Sequence, residues 1–139
     1  MIDKRVIIIE LPLHLYIKKR AISISLNNFL GKNPQWIGRM KKKYTEETIM
    51  PRLYQHRKLL KSGAFKRFRS TYQITLKSNK IKDPSNFIAM IEKFYLDALV
   101  KTGYLEDDSF KNDYKKIVLE TLINKSRISD TVKIIVEEI

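Results

Sequence analysis

Residues 86–103 have the sequence NFIAMIEKFYLDALVKTG, in which apolar side chains recur at helical spacing. They cover most of the helix circumference, so we predict a helix from about Asn86 to Lys101 that is buried on several sides or packs against a second subunit. Gly103 is expected to end this helix, because glycine readily adopts the left-handed backbone that follows many helices. The helix is therefore placed at the centre of the fold.

Strand patterns lie on both sides of this helix. The segment before Pro12 is rich in β-branched residues, and residues 71–76 alternate polar with apolar side chains, as is typical of β-strands. Lys18-Lys19-Arg20 has the character of a turn. The predicted strands are 6–11, extended by 13–17 beyond the proline, 21–26 as an edge strand or hairpin arm, 70–77, 114–123 and 131–139.

A second helical region is predicted between these strands. Residues 27–34 are rich in Asn, Gly and Pro and predict a loop, whereas residues 35–61 show helical apolar spacing. Pro51 should break or kink this region, which gives two helices or one bent helix. The chain has 139 residues, so we expect one domain (1–139) with an α/β (α+β) fold in which a mixed sheet packs against helices.

The basic charge is concentrated in the first part of the chain. The whole chain has 28 Lys and Arg against 15 Asp and Glu, a net charge of +13. Residues 1–82 hold 20 basic and 4 acidic side chains, whereas residues 83–139 hold 8 and 11. This excess predicts that the first part (1–82) binds nucleic acid, whereas the second part (83–139) is acidic. Aromatic residues such as Trp36 lie between the candidate DNA-binding residues, which are Lys18, Lys19, Arg20, Arg39, Lys41, Lys42, Lys43, Arg57, Lys58, Lys66, Arg67 and Arg69.

Other partners and chemistries receive less support. A merely solvated surface and an anionic membrane surface are the alternatives, but no segment has a clean apolar face opposite a basic one. No apolar run spans a bilayer, and no signal peptide is recognised. The absence of cysteine excludes a disulfide scaffold, a thiolate zinc site and a cysteine nucleophile, and is compatible with the cytoplasm. GxGxxG, P-loop and GxSxG motifs are absent, and His14 and His56 lack zinc-ligand spacing.

Two acidic segments flank the predicted central helix. Asp83 precedes the helix, and the Glu-Asp-Asp segment 106–108 follows its glycine. Between them, Asn86, Lys93 and Asp97 share one face, because steps of 7 and 11 residues complete nearly whole turns. Oxygen ligands from separate segments could hold a divalent ion that assists phosphodiester cleavage. Helix capping, ordinary ion pairs and a surface turn stay open as alternative explanations.

Residues 82–86 (KDPSN) and 92–108 (EKFYLDALVKTGYLEDD) resemble the RusA-type Holliday junction resolvases. That family shows a D-x-D-N element, then a lysine, then D-A-L-x-K-x-G, a hydrophobic pair and D-D. The part from Asp97 to Asp108 matches almost position by position. Family members are small homodimeric α/β endonucleases, common in phages and prophages, that nick opposed strands of four-way DNA junctions with Mg²⁺ or Mn²⁺. The resemblance implies branched DNA as the partner, with a basic DNA-binding part (1–82) and an acidic metal-site part (83–139). It also implies a homodimer and the cytoplasm of a bacterial host.

The resemblance also implies roles for individual residues. Asp83 and Asp108 match the first and last metal carboxylates, Lys93 matches the active-site lysine and Asp97 matches the helix aspartate. The implied catalytic residues are Asp83, Asp108 and Lys93, and the implied metal ligands are Asp83, Asp108, Asn86 and Asp107.

Two positions depart from the family pattern. Ser85 replaces the second acid of D-x-D, so the site has one negative charge fewer, and four additional residues separate Asn86 from Lys93. Four residues turn a helix by about 400°, which leaves Lys93 near the same face. The main prediction is a metal-dependent, structure-selective endonuclease that resolves four-way (Holliday) junctions. The alternatives are a catalytically weak or inactive nucleic-acid-binding relative of the same fold, and a small RNA-binding domain.

Overall fold

The structure, a computed structural model, describes residues 4–78, 84–106 and 114–139, which form a mixed α/β fold as predicted. None of the helices in these ranges has both the length and the apolar character needed to cross a bilayer. The strands are β1 (Val6–Pro12), β2 (His14–Ile17), β3 (Arg20–Ser23), β4 (Phe68–Leu76), β5 (Tyr114–Val118), β6 (Leu122–Ile123) and β7 (Thr131–Glu138). The helices are α1 (Leu26–Phe29), α2 (Pro34–Tyr44), α3 (Met50–Tyr54) and α4 (Pro84–Lys101).

The main sheet has the strand order β1-β7-β4-β5, and β6 pairs with the end of β4. β7 is antiparallel to both β1 and β4, whereas β5 and β6 run parallel to β4. Successive side chains of a strand point to opposite faces of the sheet. In β1, Ile7 and Ile9 are buried while Val6 and Ile8 are exposed, which defines an inner face toward the helices and an outer face. The alternation predicted for residues 70–77 is confirmed in β4.

Helix α4 packs against the inner face and confirms the predicted central helix. Tyr95 is fully buried, with its ring 6.1 Å from that of Tyr72 and its hydroxyl 2.8 Å from Ser70 Oγ on β4. Gly103 follows the helix with φ +87°, the conformation expected of a terminating glycine. The buried residues of α4 are Phe87, Ile88, Met90, Ile91, Phe94, Tyr95, Ala98 and Leu99.

The predicted turn at residues 18–20 joins β2 to β3 in a separate hairpin. Lys18 and Lys19 have φ of 48° and 69°, as a tight hairpin turn requires. The prediction that residues 13–17 extend the first strand was wrong, because β2 leaves the main sheet to pair with β3. The prediction for residues 21–26 is confirmed as a hairpin arm over residues 20–23.

The helical region around Pro51 divides into α2 and α3 as predicted, but Pro51 is the second residue of α3, and the backbone between the two helices stays helical. A π-helical turn, Thr45–Ile49, joins the two, and the Met50 amide donates to the Thr45 carbonyl five residues back. A proline inside an α-helix clashes with the carbonyl four residues before it, and for Pro51 that residue, Glu47, lies in the wider π turn. A 3₁₀ turn, Arg57–Ser62, then ends at Gly63.

Two other sequence predictions were wrong in detail. Residues 27–34 were predicted as a loop, but α1 begins at Leu26 because the Ser25 hydroxyl caps it by accepting the Asn28 amide at 3.4 Å. Residues 114–123 were predicted as one strand, but the ladder beside β4 is interrupted after Val118 and resumes only at Leu122.

Candidate nucleic-acid interface

Helix α4 carries Asn86, Lys93 and Asp97, which are the described residues of the motif that resembles the resolvase active site. Lys93 is exposed, whereas Asn86 and Asp97 are half-buried, so all three interrupt a largely buried helix. Pro84 is the first helical residue, so Asp83 directly precedes the helix. The other predicted carboxylates, Asp83, Asp107 and Asp108, lie outside the described residues.

Asp97 is joined to the basic helix α2. Its carboxylate forms an ion pair with the ammonium group of Lys41, and both side chains keep partial contact with solvent. Lys93 lies one helical turn before Asp97 on α4. The predicted active-site lysine is therefore next to the contact between α4 and the predicted DNA-binding helix.

The described residues on either side of segment 107–113 are anchored to different parts of α4. Before it, the Leu105 amide donates to the Leu99 carbonyl at 3.2 Å, near the end of the helix. After it, the Tyr114 hydroxyl donates to Glu92 Oε2 at 2.8 Å, near the middle of the helix and beside Lys93. The 18 residues of α4 span about 27 Å. The described neighbours of this segment therefore contact α4 at two separate points, one near its end and one near its middle.

Glu92 belongs to a polar cluster that the sequence analysis did not identify. Besides Tyr114, the Tyr72 hydroxyl donates to Glu92 Oε2 at 3.2 Å, and Lys116 Nζ lies 3.3 Å from the same carboxylate. Burial raises the pKa of Tyr72 and of Tyr114 well above the usual tyrosine range, so both hydroxyls stay protonated donors at neutral pH. A glutamate within a largely apolar helix was the available sequence signal. Its partners on β4 and β5 become visible only in the fold.

One group of predicted DNA-binding residues meets in a cleft at the start of α2. Arg20 at the start of β3 and Arg39 on α2 line this cleft together with Lys32 and Trp36. Its volume is about 490 Å³. Lys32 was not singled out from the sequence because it lies outside every run of basic residues.

A second group surrounds the carboxyl-terminal end of α4. Arg57 and Lys58 lie in the 3₁₀ turn, and Lys66 and Arg67 follow Phe65. The Phe65 amide donates to the Tyr104 carbonyl at 2.8 Å, just beyond α4. All four basic side chains are exposed, as are Lys18, Lys19 and Lys42. The predicted DNA-binding residues therefore form more than one surface group.

Among the residues that the structure describes, some of the predicted DNA-binding cations have carboxylate partners. Lys41 pairs with Asp97, Lys43 Nζ lies 2.9 Å from Glu47, and the Arg69 guanidinium contacts both carboxylate oxygens of Glu137 at 3.1 and 3.3 Å. Such pairs reduce the net field that these cations present to a polyanion.

The chemistry of the predicted metal ligands fits a hard divalent ion. Aspartate carboxylates and the asparagine side-chain carbonyl are the oxygen donors that Mg²⁺ and Mn²⁺ take in proteins. Asn86 is the one member of that set inside the described ranges, where no group of three or more potential metal-ligating side chains occurs.

Comparison with protein-family models and with curated protein sequences finds no match for this chain. The likeness to the RusA-type resolvases therefore stays a prediction from the motif itself.

Proposed function

We propose that this chain is a metal-dependent endodeoxyribonuclease that cuts four-way junctions and other branched DNA, with a RusA-like fold. The observation that carries the proposal is the position of Lys93. It is exposed on a largely buried helix, one turn from Asp97, which pairs with Lys41 of the basic helix α2. A phosphate bound along α2 would thereby reach the motif that resembles the resolvases.

The side chains have distinct tasks in this proposal. Asp83 and Asp108, with Asn86 and Asp107, hold Mg²⁺ or Mn²⁺, which when bound supplies an activated water and neutralises charge at the scissile phosphate. The Lys93 ammonium contacts the phosphate oxygens and stabilises the charge that develops on them. Glu92 and Tyr114 keep β5 against α4 beside Lys93.

The basic groups bind the DNA backbone rather than its bases. Exposed lysine and arginine side chains neutralise phosphates without reading sequence, so affinity should fall steeply with salt. Branch selectivity then comes from the spacing of separate basic surfaces, one at the cleft beside α2 and one near the end of α4.

A homodimer is part of this proposal, because two sites are needed for two opposed cuts. Support comes from the outer face of the sheet, where Ile8 and Ile117 are 53% and 39% exposed. They belong to one row, since Ile8 pairs with Ile135, Ile135 with Thr71, and Thr71 with Ile117. Such a row suits burial against a second copy. The proposed location is the cytoplasm of a bacterial host of a phage or prophage.

Cleavage of a labelled synthetic four-way junction tests the proposal. The wild-type chain and the Asp108→Asn variant are compared in Mg²⁺ and in EDTA, with linear duplex as the control substrate. We expect symmetric nicks that require the metal, spare the duplex and disappear in the variant. Nicks that persist in EDTA or in Asp108→Asn would overturn the assigned chemistry.

The second candidate function is a nucleic-acid-binding relative without catalysis. Ser85 favours it, because this position has a neutral hydroxyl where the RusA-type resolvases have a carboxylate. This protein would bind the junction tightly and leave it uncut in both Mg²⁺ and Mn²⁺. A Ser85→Asp variant separates the two functions, since gain of cleavage in the variant alone identifies the inactive relative.

A further inference from the structure

The cleft beside α2 has a lining suited to a nucleotide. Three cations, three side-chain amides and one indole contribute to it, and none of its lining residues is acidic. Its volume of about 490 Å³ lies in the usual range for small-ligand sites. The lining consists of Arg20, Ile22, Asn28, Lys32, Asn33, Gln35, Trp36 and Arg39.

Carboxylates in the described part of the chain do not neutralise the charge in this cleft. Arg20, Lys32 and Arg39 are exposed, and none of them forms an ion pair with another residue in the described part of the chain. Residues 11–45 contain eight lysines and arginines and no acidic residue. These three cations differ in this respect from Lys41, Lys43 and Arg69, so a phosphate entering the cleft displaces no carboxylate.

Trp36 supplies an aromatic surface at a fixed position. Its ring packs against Phe29 with a centroid separation of 5.2 Å, and the side chain is only partly buried. The Lys32 ammonium lies 5.9 Å from the ring centroid. Phe29 in turn contacts Phe94 of α4 at 6.0 Å, so the indole is supported from the core and still lines the cleft.

Local hydrogen bonds hold the elements around the cleft together. The Asn28 side-chain amide donates to the Ser23 carbonyl at 2.9 Å, which ties α1 to the hairpin that carries Arg20. Asn33 caps α2 by accepting the Gln35 amide at 2.7 Å, which fixes the helix that carries Trp36 and Arg39. The cations and the indole are thus presented by a connected frame rather than by a free loop.

We propose that this cleft binds one unpaired nucleotide of the DNA substrate. The base stacks on Trp36, and the adjoining phosphate contacts Arg20, Lys32 and Arg39. Aromatic stacking with backbone cations is the usual way in which proteins hold unpaired bases without reading sequence. A paired base does not offer its face in this way. The inference rests on the proposed function in taking DNA as the substrate, and α2 connects the cleft to Lys41 and so to α4.

Trp36 is the single tryptophan of the chain, so intrinsic fluorescence reports on this site directly. The wild-type chain is titrated with oligo(dT), with an oligonucleotide of equal length that carries abasic sites, and with blunt duplex. We expect oligo(dT) to quench the tryptophan emission, and the abasic strand and the duplex to leave it nearly unchanged. Equal quenching by all three would overturn the proposal, because it would report charge rather than stacking.

Two variants complete the test. Arg39→Gln should raise the Kd for oligo(dT), measured by the quenching, about tenfold, and it leaves the indole in place. Lys133→Gln removes the same charge from an exposed site on the outer face of β7 and should leave the Kd unchanged. If the two variants change the Kd equally, the binding depends on general charge, and the proposed nucleotide site in the cleft is overturned.

The result is independent of catalysis. If the chain cuts junctions but oligo(dT) does not quench its fluorescence, the proposed function stands and nucleotide binding in the cleft is overturned. If Arg39→Gln reduces the quenching but the chain never cuts DNA, nucleotide binding in the cleft stands and the proposed nuclease activity is overturned. Tighter binding of oligo(rU) than of oligo(dT) would overturn the assignment of DNA as the ligand.

Discussion

Lys41 of helix α2 and Asp97 of helix α4 form an ion pair that bridges the predicted DNA-binding helix and the helix that carries the resolvase-like motif. The two side chains are 39% and 47% exposed, so water screens their attraction. The pair therefore contributes to the relative position of the two helices more than to the stability of the fold.

We expect the Lys41–Asp97 coupling to be small. Lys41→Gln and Asp97→Asn should each reduce the free energy of unfolding by less than about 1 kcal/mol, and a double-mutant cycle should give a coupling below about 1 kcal/mol. Urea denaturation of the four proteins measures it, with the exposed pair of Lys43 and Glu47 as the matched control. A coupling of several kcal/mol would show that solvent does not screen the pair.

Lys93→Gln should separate binding from cleavage. Loss of one preorganised charge at a reacting phosphate lowers the rate by about 10²–10³-fold, whereas one phosphate contact changes affinity far less. Single-turnover cleavage and junction binding are measured in parallel with Lys101→Gln, another exposed lysine of α4, as the control. Equal losses in the two variants would assign Lys93 to nonspecific attraction.

Junction affinity should depend steeply on salt. Neutralising the exposed Lys42 or Lys58 should make the slope of log K against log salt shallower by about 0.9 for each phosphate contact removed. Lys125→Gln, in an exposed turn after β6, should leave the slope unchanged. The assignment of α2 and the 3₁₀ turn to DNA contact fails if the slopes of all three variants coincide with that of the wild type.

The Arg5–Glu138 pair predicts acid-dependent stability. Hydrogen bonds from the Arg5 guanidinium, at 3.1 and 2.7 Å, lower the pKa of Glu138 below its ordinary value of 4.5. A carboxylate with a depressed pKa in the folded state stabilises the fold above its unfolded pKa, and this contribution is lost as the pH falls through the folded pKa. The free energy of unfolding should therefore drop below about pH 4.5.

Glu138→Gln should remove this part of the pH dependence and lower stability at neutral pH. Thermal unfolding between about pH 3 and about pH 7, a range that spans the ordinary carboxyl pKa, measures the effect. Glu46→Gln, at an exposed position, is the control and should retain the wild-type profile. A Glu138→Gln profile that parallels the wild type would contradict the assigned linkage.

Glu92 should be important for stability. Glu92→Gln weakens the charged acceptor of the Tyr72 and Tyr114 hydroxyls and of Lys116, and hydrogen bonds to charged groups contribute about 1.5–3 kcal/mol. We expect a loss of about 1–2 kcal/mol in urea denaturation, because the amide oxygen retains part of the bonding. The exposed Glu106 is the control position, and Glu106→Gln should change stability by less than about 0.5 kcal/mol. Equal stabilities of the two variants would show that the cluster is dispensable.

Local patterns predicted much of the secondary structure. Helix α4 and the alternation of β4 were predicted from spacing alone, because a helix or strand that buries one side has apolar residues at regular intervals along its sequence. The π-helical turn before Pro51 did not, because the proline predicts an interruption and not how the backbone absorbs it. The short helix α1 was missed because asparagine and glycine dominate its surroundings.

Features that depend on distant residues were beyond sequence reasoning. The pairing of β7 with both β1 and β4 is set by contacts far apart in the chain. The same holds for the cleft, where Lys32 joins Arg20 and Arg39 only after the hairpin folds toward α2. The basic residues were predicted as candidates. Only the fold separates those that pair with carboxylates from the cleft group, which forms no ion pair among the described residues.

The position of β7 has a consequence for synthesis of the chain. β1 is synthesised before β7, yet its ladder in the described sheet is with β7, where Val6 pairs with Glu137. β4 likewise has β7 between itself and β1. A nascent chain therefore holds β1 without its partner strand until residues 131–138 leave the ribosome, and closure of so long a loop is slow. Chaperones that shield exposed strands would have their longest opportunity to act on this protein during that interval.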